Sequence, residues 1–294
     1  MDIPWDDLRL FLAVAEAGSL SGAARQLRLG QPTISRRLAF LEDQLGYSLF
    51  RRGVAGAVLT HEGERLLDPA RRMAEWAGEA TRAAEKQDHQ PRGLVRLTAP
   101  PGVAFDFLVG FAADLRVQLP LIRLELLSTT QYLDLGRREA DLALRGRPAE
   151  HRDQVLVATL EHEVAPFVSR SYKRRLKKGA GLADLAWIAW APPYDQMIPN
   201  PQLAAAVPGF VAAFTSDDYL IQLRAAEAGL GAVFKAKIQH RYLPKTELVP
   251  LPMPLGPAGR SATHLVSTKS ALEIGRVRAV AERLAEEMGK VRPL

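Results

Sequence analysis

The chain has 294 residues, of which 47% are hydrophobic and 24% charged, with a formal net charge of +6 and no cysteine. That length can bury the cores of about two or three compact units, the missing cysteines exclude disulfides and thiolate metal sites, and the positive excess suits an anionic partner. The N-terminal MDIPWDDLRLF is acidic and amphipathic, unlike a secretory signal, and no apolar run approaches the ~20 residues of a membrane helix, so the expected compartment is the cytoplasm.

Leu8, Phe11, Leu12 and Ala15 recur at helical spacing behind Asp6 and Asp7 and predict a first helix over 6–17, ended by Gly18. Ser19 or Ser21 caps a short second helix with Ala23, Ala24 and Leu27 inward. Gly30 as N-cap and Pro32 in the first turn open a third helix, on which Ile34, Leu38, Leu41 and Leu45 form one stripe. Gln31, Thr33, Ser35, Arg36 and Arg37 then project from the other sides of its N-terminal end. Two short helices, the second polar at its start, match a helix-turn-helix, whose second helix enters the major groove. Gln and Arg can read base edges, whereas Ser, Thr and backbone N–H groups suit phosphates. The candidate DNA-binding set is Ser21, Gln31, Pro32, Thr33, Ser35, Arg36 and Arg37. Arg51 and Arg52 join it on the expected hairpin SLFRRGVAGAVLT, a wing against the DNA backbone. The competing reading is a three-helix bundle whose arginines only solvate a surface.

From His61 to about Asp88 only Pro69 interrupts a helical pattern. Leu66, Met73, Ala77, Ala80 and Ala84 share one stripe, and the small alanines allow close approach, so the segment is expected to pair two chains. The alternative is a helix packed on its own domain.

The order Ala23-Ala24, Leu27, Gln31-Pro32, Ser35, Leu41-Glu42, Leu45-Gly46, Leu49-Phe50, Arg52, Leu59-Thr60 and Gly63 resembles the LysR-type transcriptional regulators. One departure is Gly30, where that family usually has Ser as the cap; the exchange costs only a few tenths of a kcal/mol. The resemblance implies an all-α winged helix-turn-helix over 1–60 and a dimerising linker helix over 61–89. It further implies an α/β effector domain over 90–294, of two Rossmann-like subdomains, similar to a type 2 periplasmic binding protein. Subdomain I is expected over about 93–160 and 266–294, and subdomain II over about 161–265.

After the Pro/Gly hinge QPRG the pattern changes. LVRLTA reads as a strand, VAFDFLVGFAADLRVQL as a helix, IRLELLS as a strand, QYLDLGRRE as a short helix and ADLALR as a strand. Such alternation predicts a mainly parallel sheet with ligands beyond the carboxyl ends of its strands. VLVATLEHEVAPFVS reads as extended, LAWIAWA, VAAFTS and GAVFKA as strands, and DDYLIQLRAAEAG as a helix capped by Ser216 or Asp217. THLVSTK and one helix from about Ala271 to Gly289 close the unit.

Strand ends should gather at a cleft between the subdomains. The candidate effector-binding residues are Thr98, Pro100, Pro101, Ser128, Thr129, Arg145, Phe214, Thr215, Ser216 and Phe234, with Phe105 and Trp190 as further apolar walls. Hydroxyls and a helix start beside an Arg suit a small organic anion, although Ala99 and Pro100 stand where the family often has Ser or Thr, which removes donors. Arg145 is either a ligand-binding cation or a member of a structural ion pair.

The chain has no P-loop, HExxH, GxSxG or complete GxGxxG. Glu161-His162-Glu163 puts its acids and its imidazole on opposite strand faces, and Asp217-Asp218 reads as a helix cap, so no catalytic or metal residue is expected. The run KRRLKK at Lys173–Lys178 reads as solvated surface, with contact to DNA as the alternative. The resulting expectation is a DNA-binding transcription regulator tuned by a small organic effector, with no cofactor. Its partners are double-stranded DNA, a second copy as homodimer or tetramer, and RNA polymerase, with no membrane. The alternatives are a regulator without an effector and an enzyme fused to a DNA-binding domain.

Overall fold

The computed structural model describes residues 3–53, 56–84, 90–149, 151–253, 255 and 259–294. The chain divides into two compact units, Met1–His89 and Gln90–Leu294.

The first unit opens with α1 (Trp5–Ala17), α2 (Leu20–Leu27) and α3 (Gln31–Leu45). Ser19 caps α2, its Oγ accepting from the Gly22 amide at 3.1 Å, so Ser21 is left exposed. Ile34, Leu38 and Leu41 are fully buried in one core with Leu8, Phe11 and Val14 of α1, as their spacing predicts; Leu45 is half-buried at its edge. β1 (Phe50–Gly53) and β2 (Gly56–Leu59) form an antiparallel hairpin in which Arg51 faces Val58. Glu42 of α3 accepts the Leu49 amide at 2.7 Å and the Phe50 amide at 3.1 Å, which ties the base of the hairpin to the third helix. α4 (His61–Ala84) follows, with Pro69 inside it. Thr60 holds its start, accepting from the Gly63 amide at 3.1 Å and donating to the Ser48 carbonyl at 2.8 Å. A Cβ at Gly63 would stand 2.3 Å from the Leu49 carbonyl oxygen, so this close approach requires glycine. The end of the helix expected to reach Asp88 lies outside the described residues.

The second unit begins with β3 (Gly93–Ala99), α5 (Pro101–Val103), a π-helical turn (Ala104–Leu108), α6 (Val109–Gln118), β4 (Ile122–Ser128) and β5 (Leu142–Arg145). The segment 131–139 is a turn and not the expected helix. Asp134 Oδ1 accepts from the amides of Gly136 and Arg137 at 2.8 and 3.2 Å, an Asx turn that competes with helix formation. Next come β6 (Gln154–Ser169), α7 (Arg170–Arg175), β7 (Ile188–Trp190), α8 (Asn200–Ala206), β8 (Phe214–Ser216), α9 (Tyr219–Glu227) and β9 (Val233–Ala236). The cap of α9 is Asp218, which accepts from Leu220 and Ile221 at 2.7 and 3.2 Å, instead of Ser216 or Asp217. The chain ends with β10 (Ile238–Gln239), β11 (Leu248–Pro250), β12 (Arg260–Thr268), α10 (Lys269–Leu272), α11 (Gly275–Gly289) and β13 (Arg292–Pro293). The single C-terminal helix expected from Ala271 is thus two, because Ile274 adopts an extended backbone as the N-cap of α11.

The large sheet runs β11-β6-β12-β5-β3-β4, with β9 also on β6. β3 is parallel to β4 and β5, but β12 is antiparallel to both β5 and β6. The sheet is therefore mixed where alternation predicts it mainly parallel. The reason is that the two long connecting strands, β6 and β12, pair with each other from Arg260 opposite Glu163 to Thr268 opposite Gln154. One apolar core draws on residues between Val95 and Leu144 and between Leu265 and Val291; two others lie between Ala165 and Leu251.

Candidate nucleic-acid interface and ligand cavity

On α3, Gln31, Pro32 and Arg36 are exposed and Thr33 and Ser35 half-buried, opposite a fully buried stripe. This end of α3 presents a carboxamide, two hydroxyls and a guanidinium beside the backbone N–H groups of a helix start. Arg37 departs from the expectation of a free donor: its Nε donates to Asp7 Oδ1 at 2.9 Å, and Asp7 is only 6% exposed. It fastens α3 to α1. Arg51 on the hairpin is exposed, while the Arg52 side chain lies outside what is described.

Within the second unit a cavity of about 1420 Å³ opens. Thr98, Pro100, Pro101, Thr129, Arg145 and Phe234 line it, with Phe105 and Trp190. Ser128, Phe214, Thr215 and Ser216 do not. Ser128 and Thr215 are exposed elsewhere, and Phe214 packs on the core beside Leu223 and Val233. Buried Ser216 serves α9, its Oγ accepting from the Asp218 amide at 3.1 Å and its carbonyl from Gln222 Nε2 at 2.8 Å. Thr98, only 5% exposed, donates to the Leu127 carbonyl at 3.1 Å. Phe234 stacks on Trp187 with ring centroids 5.1 Å apart.

Arg145 is 7% exposed, and its Nη2 donates to the neutral Gln154 at 2.6 Å. Its guanidinium carbon lies 5.7 Å from the centre of the Tyr132 ring. Also on the cavity wall, Asp106 of the π-helical turn pairs with Lys235 of β9, and the Tyr219 hydroxyl lies 3.1 Å from Asp106 Oδ2 and 3.0 Å from Lys235 Nζ. Burial, and after it the Asp106 carboxylate, push the Tyr219 hydroxyl well above its ordinary range, so it stays protonated. Burial likewise holds the His162 imidazole below its ordinary value, against a smaller opposing effect of the Leu160 carbonyl. His162 lines the cavity, whereas Glu161 and Glu163 are exposed, the alternation expected of a strand.

Residues 5–64 match the family of bacterial regulatory helix-turn-helix proteins of the lysR type, and residues 88–289 match the LysR substrate binding domain. The chain belongs to the LysR family. The Mau operon transcriptional activator of Paracoccus denitrificans is 37% identical over 145 residues, 49% of this chain and 51% of that protein. The regulator CrgA of Neisseria meningitidis is 31% identical over 140 residues, 48% and 47% of the two chains. The chain thus spans about half the length of these relatives. Among solved structures, a full-length OxyR variant from Pseudomonas aeruginosa superposes with a TM-score of 0.61 at 20% identity, covering 98% of this chain and 95% of that one. CbnR complexed with its target DNA gives 0.59 at 21% identity over 96% and 99%. At such identities the likeness is one of fold.

In this LysR-family chain the stripe expected to pair two copies is mixed in exposure. Leu66 packs on the core of its own unit, Met73 is 41% exposed, Ala77 is half-buried and Ala80 exposed; the Ala84 side chain lies outside what is described. No described helix is long and apolar enough to cross a membrane. Cavity residues that periodicity does not reveal include Asp106, Tyr219, Lys235 and Gln202. Asp106 and Lys235 stand 129 positions apart, and neither belongs to a local pattern that marks it.

Proposed function

We propose that this LysR-family chain is a sequence-specific DNA-binding transcription regulator of the cytoplasm, and that a small organic effector in the cavity of its second unit sets its activity. The observation that carries the DNA reading is the N-terminal end of α3, where Gln31 and Arg36 are exposed and Thr33 and Ser35 half-exposed opposite the buried Ile34, Leu38 and Leu41 stripe. Such an end fits the major groove, with Gln31 and Arg36 toward base edges and Ser35, Thr33, Ser21 and the Arg51–Arg52 hairpin toward phosphates. The wing, the net charge of +6 and the DNA complex reported for CbnR support it. We assign DNA binding to 1–60, pairing of two copies to 61–89 and effector binding to 90–294. RNA polymerase is the partner through which such a protein regulates transcription.

Gel-shift titration on DNA flanking its own gene, at two salt concentrations, tests the assignment. Arg36→Ala and Ser35→Ala should weaken specific binding. A base-edge contact carries about 1–3 kcal/mol of discrimination, and loss of a phosphate contact lowers the salt slope by about one. Unchanged affinity and slope in both variants would remove α3 from the groove.

A further inference from the structure

The positive charge of this chain is not concentrated on the unit that carries the helix-turn-helix. Residues 1–89 hold 12 Lys and Arg against 13 Asp and Glu, whereas residues 90–294 hold 27 against 20. Sequence-independent attraction to DNA comes from cations that neutralise phosphates and release condensed counterions, and the first unit, taken whole, has no excess of them. Five cations of the second unit fall within six positions, in the run KRRLKK at Lys173–Lys178, on α7 and the turn that follows it.

Lys173, Arg174, Lys177 and Lys178 are exposed and have no carboxylate partner among the described residues. Asp184, the nearest acid along the chain, accepts from the Gly181 amide at 2.8 Å. By contrast Arg137, Arg224 and Lys290 each pair with a carboxylate three or four positions away, the ordinary arrangement of a cation on a solvated surface. The backbone beneath the run is held in place. Ser169 Oγ accepts from the Tyr172 amide at 3.2 Å, the hydroxyl of buried Tyr172 accepts from the Ala186 amide at 2.8 Å, and Arg175 Nη2 donates to the Gly229 carbonyl at 3.0 Å. The Ala180 amide donates to the Lys177 carbonyl at 3.1 Å across Gly179, whose φ is 83°, so Lys177 and Lys178 stand on a tight turn. Like charges crowded in this way repel one another, a cost that a polyanion relieves.

We propose that Lys173, Arg174, Lys177 and Lys178 form a second DNA-contacting surface, which takes phosphates of the duplex flanking the site that α3 reads. This rests on DNA binding through α3. Ammonium and guanidinium groups, with the exposed Ser171 hydroxyl beside them, are the donors that hold phosphates without regard to sequence. An acidic protein partner fits less well, because the core of a protein interface is apolar, and here Tyr172 is buried and Leu176 half-buried.

The test uses the full-length protein and two duplexes: the site protected from nuclease in DNA flanking its own gene, and the same site extended by about four helical turns on each side. Affinity is measured over a range of salt concentrations. The parent should bind the extended duplex more tightly and with the steeper salt dependence. The combined variant Lys173→Gln, Arg174→Gln, Lys177→Gln, Lys178→Gln should keep the parent's melting temperature and its affinity for the short duplex. On the extended duplex it should lose about 10- to 100-fold, with a salt slope lower by about two to four, since each phosphate contact contributes about 0.9. Arg175 is left in place because it also holds the backbone. A control with the same change in net charge, Arg152→Gln, Lys245→Gln, Lys269→Gln, Arg278→Gln, draws on exposed cations elsewhere on the second unit and should bind both duplexes as the parent does. Equal loss in this control overturns the proposal, since net charge and not the run would then act. Equal affinity and slope of the parent on both duplexes overturns it without any variant. So does unchanged binding of the extended duplex by the combined variant; a fall in transcription with RNA polymerase in that case would point to an acidic protein partner. Loss of sequence-specific binding to the short duplex in Arg36→Ala, with the combined variant binding it normally, shows that α3 and the run act separately. A parent that binds neither duplex removes DNA binding through α3, and this surface with it.

Discussion

Arg37 Nε donates to Asp7 Oδ1 at 2.9 Å, so a guanidinium on the outer side of the third helix is spent on the first helix, 30 positions earlier in the chain. Its neighbour Arg36 is exposed. Two adjacent arginines thus have different work, and substitution separates them. Asp7→Ala or Arg37→Ala should lower the stability of the first unit by about 1–3 kcal/mol, the loss expected when a buried charged partner is removed. Arg36→Ala should stay within about 0.5 kcal/mol of the parent. Urea midpoints of the three variants check this; equal loss in Arg36→Ala would mean the ion pair has no special part.

Glu42 accepts two successive amides, those of Leu49 and Phe50, where the chain leaves α3 for the hairpin. Leu49 and Phe50 are 0% and 4% exposed, so water has little access to replace that acceptor. Glu42→Ala should cost about 1–3 kcal/mol and speed hydrogen exchange at both amides before any change in α1. If exchange at Leu49 and Phe50 stays as slow as in the parent, the carboxylate does not hold the wing.

Met73 projects from α4 with 41% of its surface exposed, and Ala80 is exposed one further stretch along the helix. If this face pairs two copies, Met73→Glu should shift light-scattering mass toward the monomer and reduce DNA affinity with it, because a two-fold dimer reads two half-sites at once. A monomeric parent protein would end the pairing model.

His240 packs against both the Phe107 and Tyr242 rings, which also touch each other, and lies 3.3 Å from Glu287 Oε2. Burial holds the imidazole below its usual value of 6.5, only partly offset by Glu287. For Glu287, burial acts upward, but bonds from Lys290 and Arg241 outweigh it and hold the carboxyl below its usual 4.5. Both groups are thus depressed in the folded state, so their stabilising contribution is present above the unfolded values and is lost as pH falls. The melting temperature should be level above about pH 7, decline as pH drops below about 6.5, and decline further below about 4.5. His240→Gln should flatten the first decline without abolishing it, since His162 is depressed in the same direction. A first decline as steep in His240→Gln as in the parent would clear His240 of the effect.

The sequence by itself determined the first unit closely. Ile34, Leu38 and Leu41 are all completely buried, and the turn residues Gly18, Ser19 and Gly46 stand where helices begin and end. Helix periodicity, caps and turns depend on neighbours within a few positions, so the order of residues suffices to read them. For the same reason the segment 131–139 was open to misreading, since its apolar spacing competes with the equally local turn chemistry of Asp134 and Gly136.

Only the tertiary structure decided which strand ends meet. Ser128, Phe214, Thr215 and Ser216 follow the same strand-end rule as Thr129 and Arg145 yet lie off the cavity, while Asp106 and Lys235, far apart in the chain, meet at its wall. It likewise decided that Arg37 faces Asp7 and that β6 pairs with β12, which makes the sheet mixed. These outcomes depend on the register of strands and on long connections closing over one another. That is a property of the whole packed chain, because a side chain's partner across such a closure leaves no trace in the few residues on either side of it.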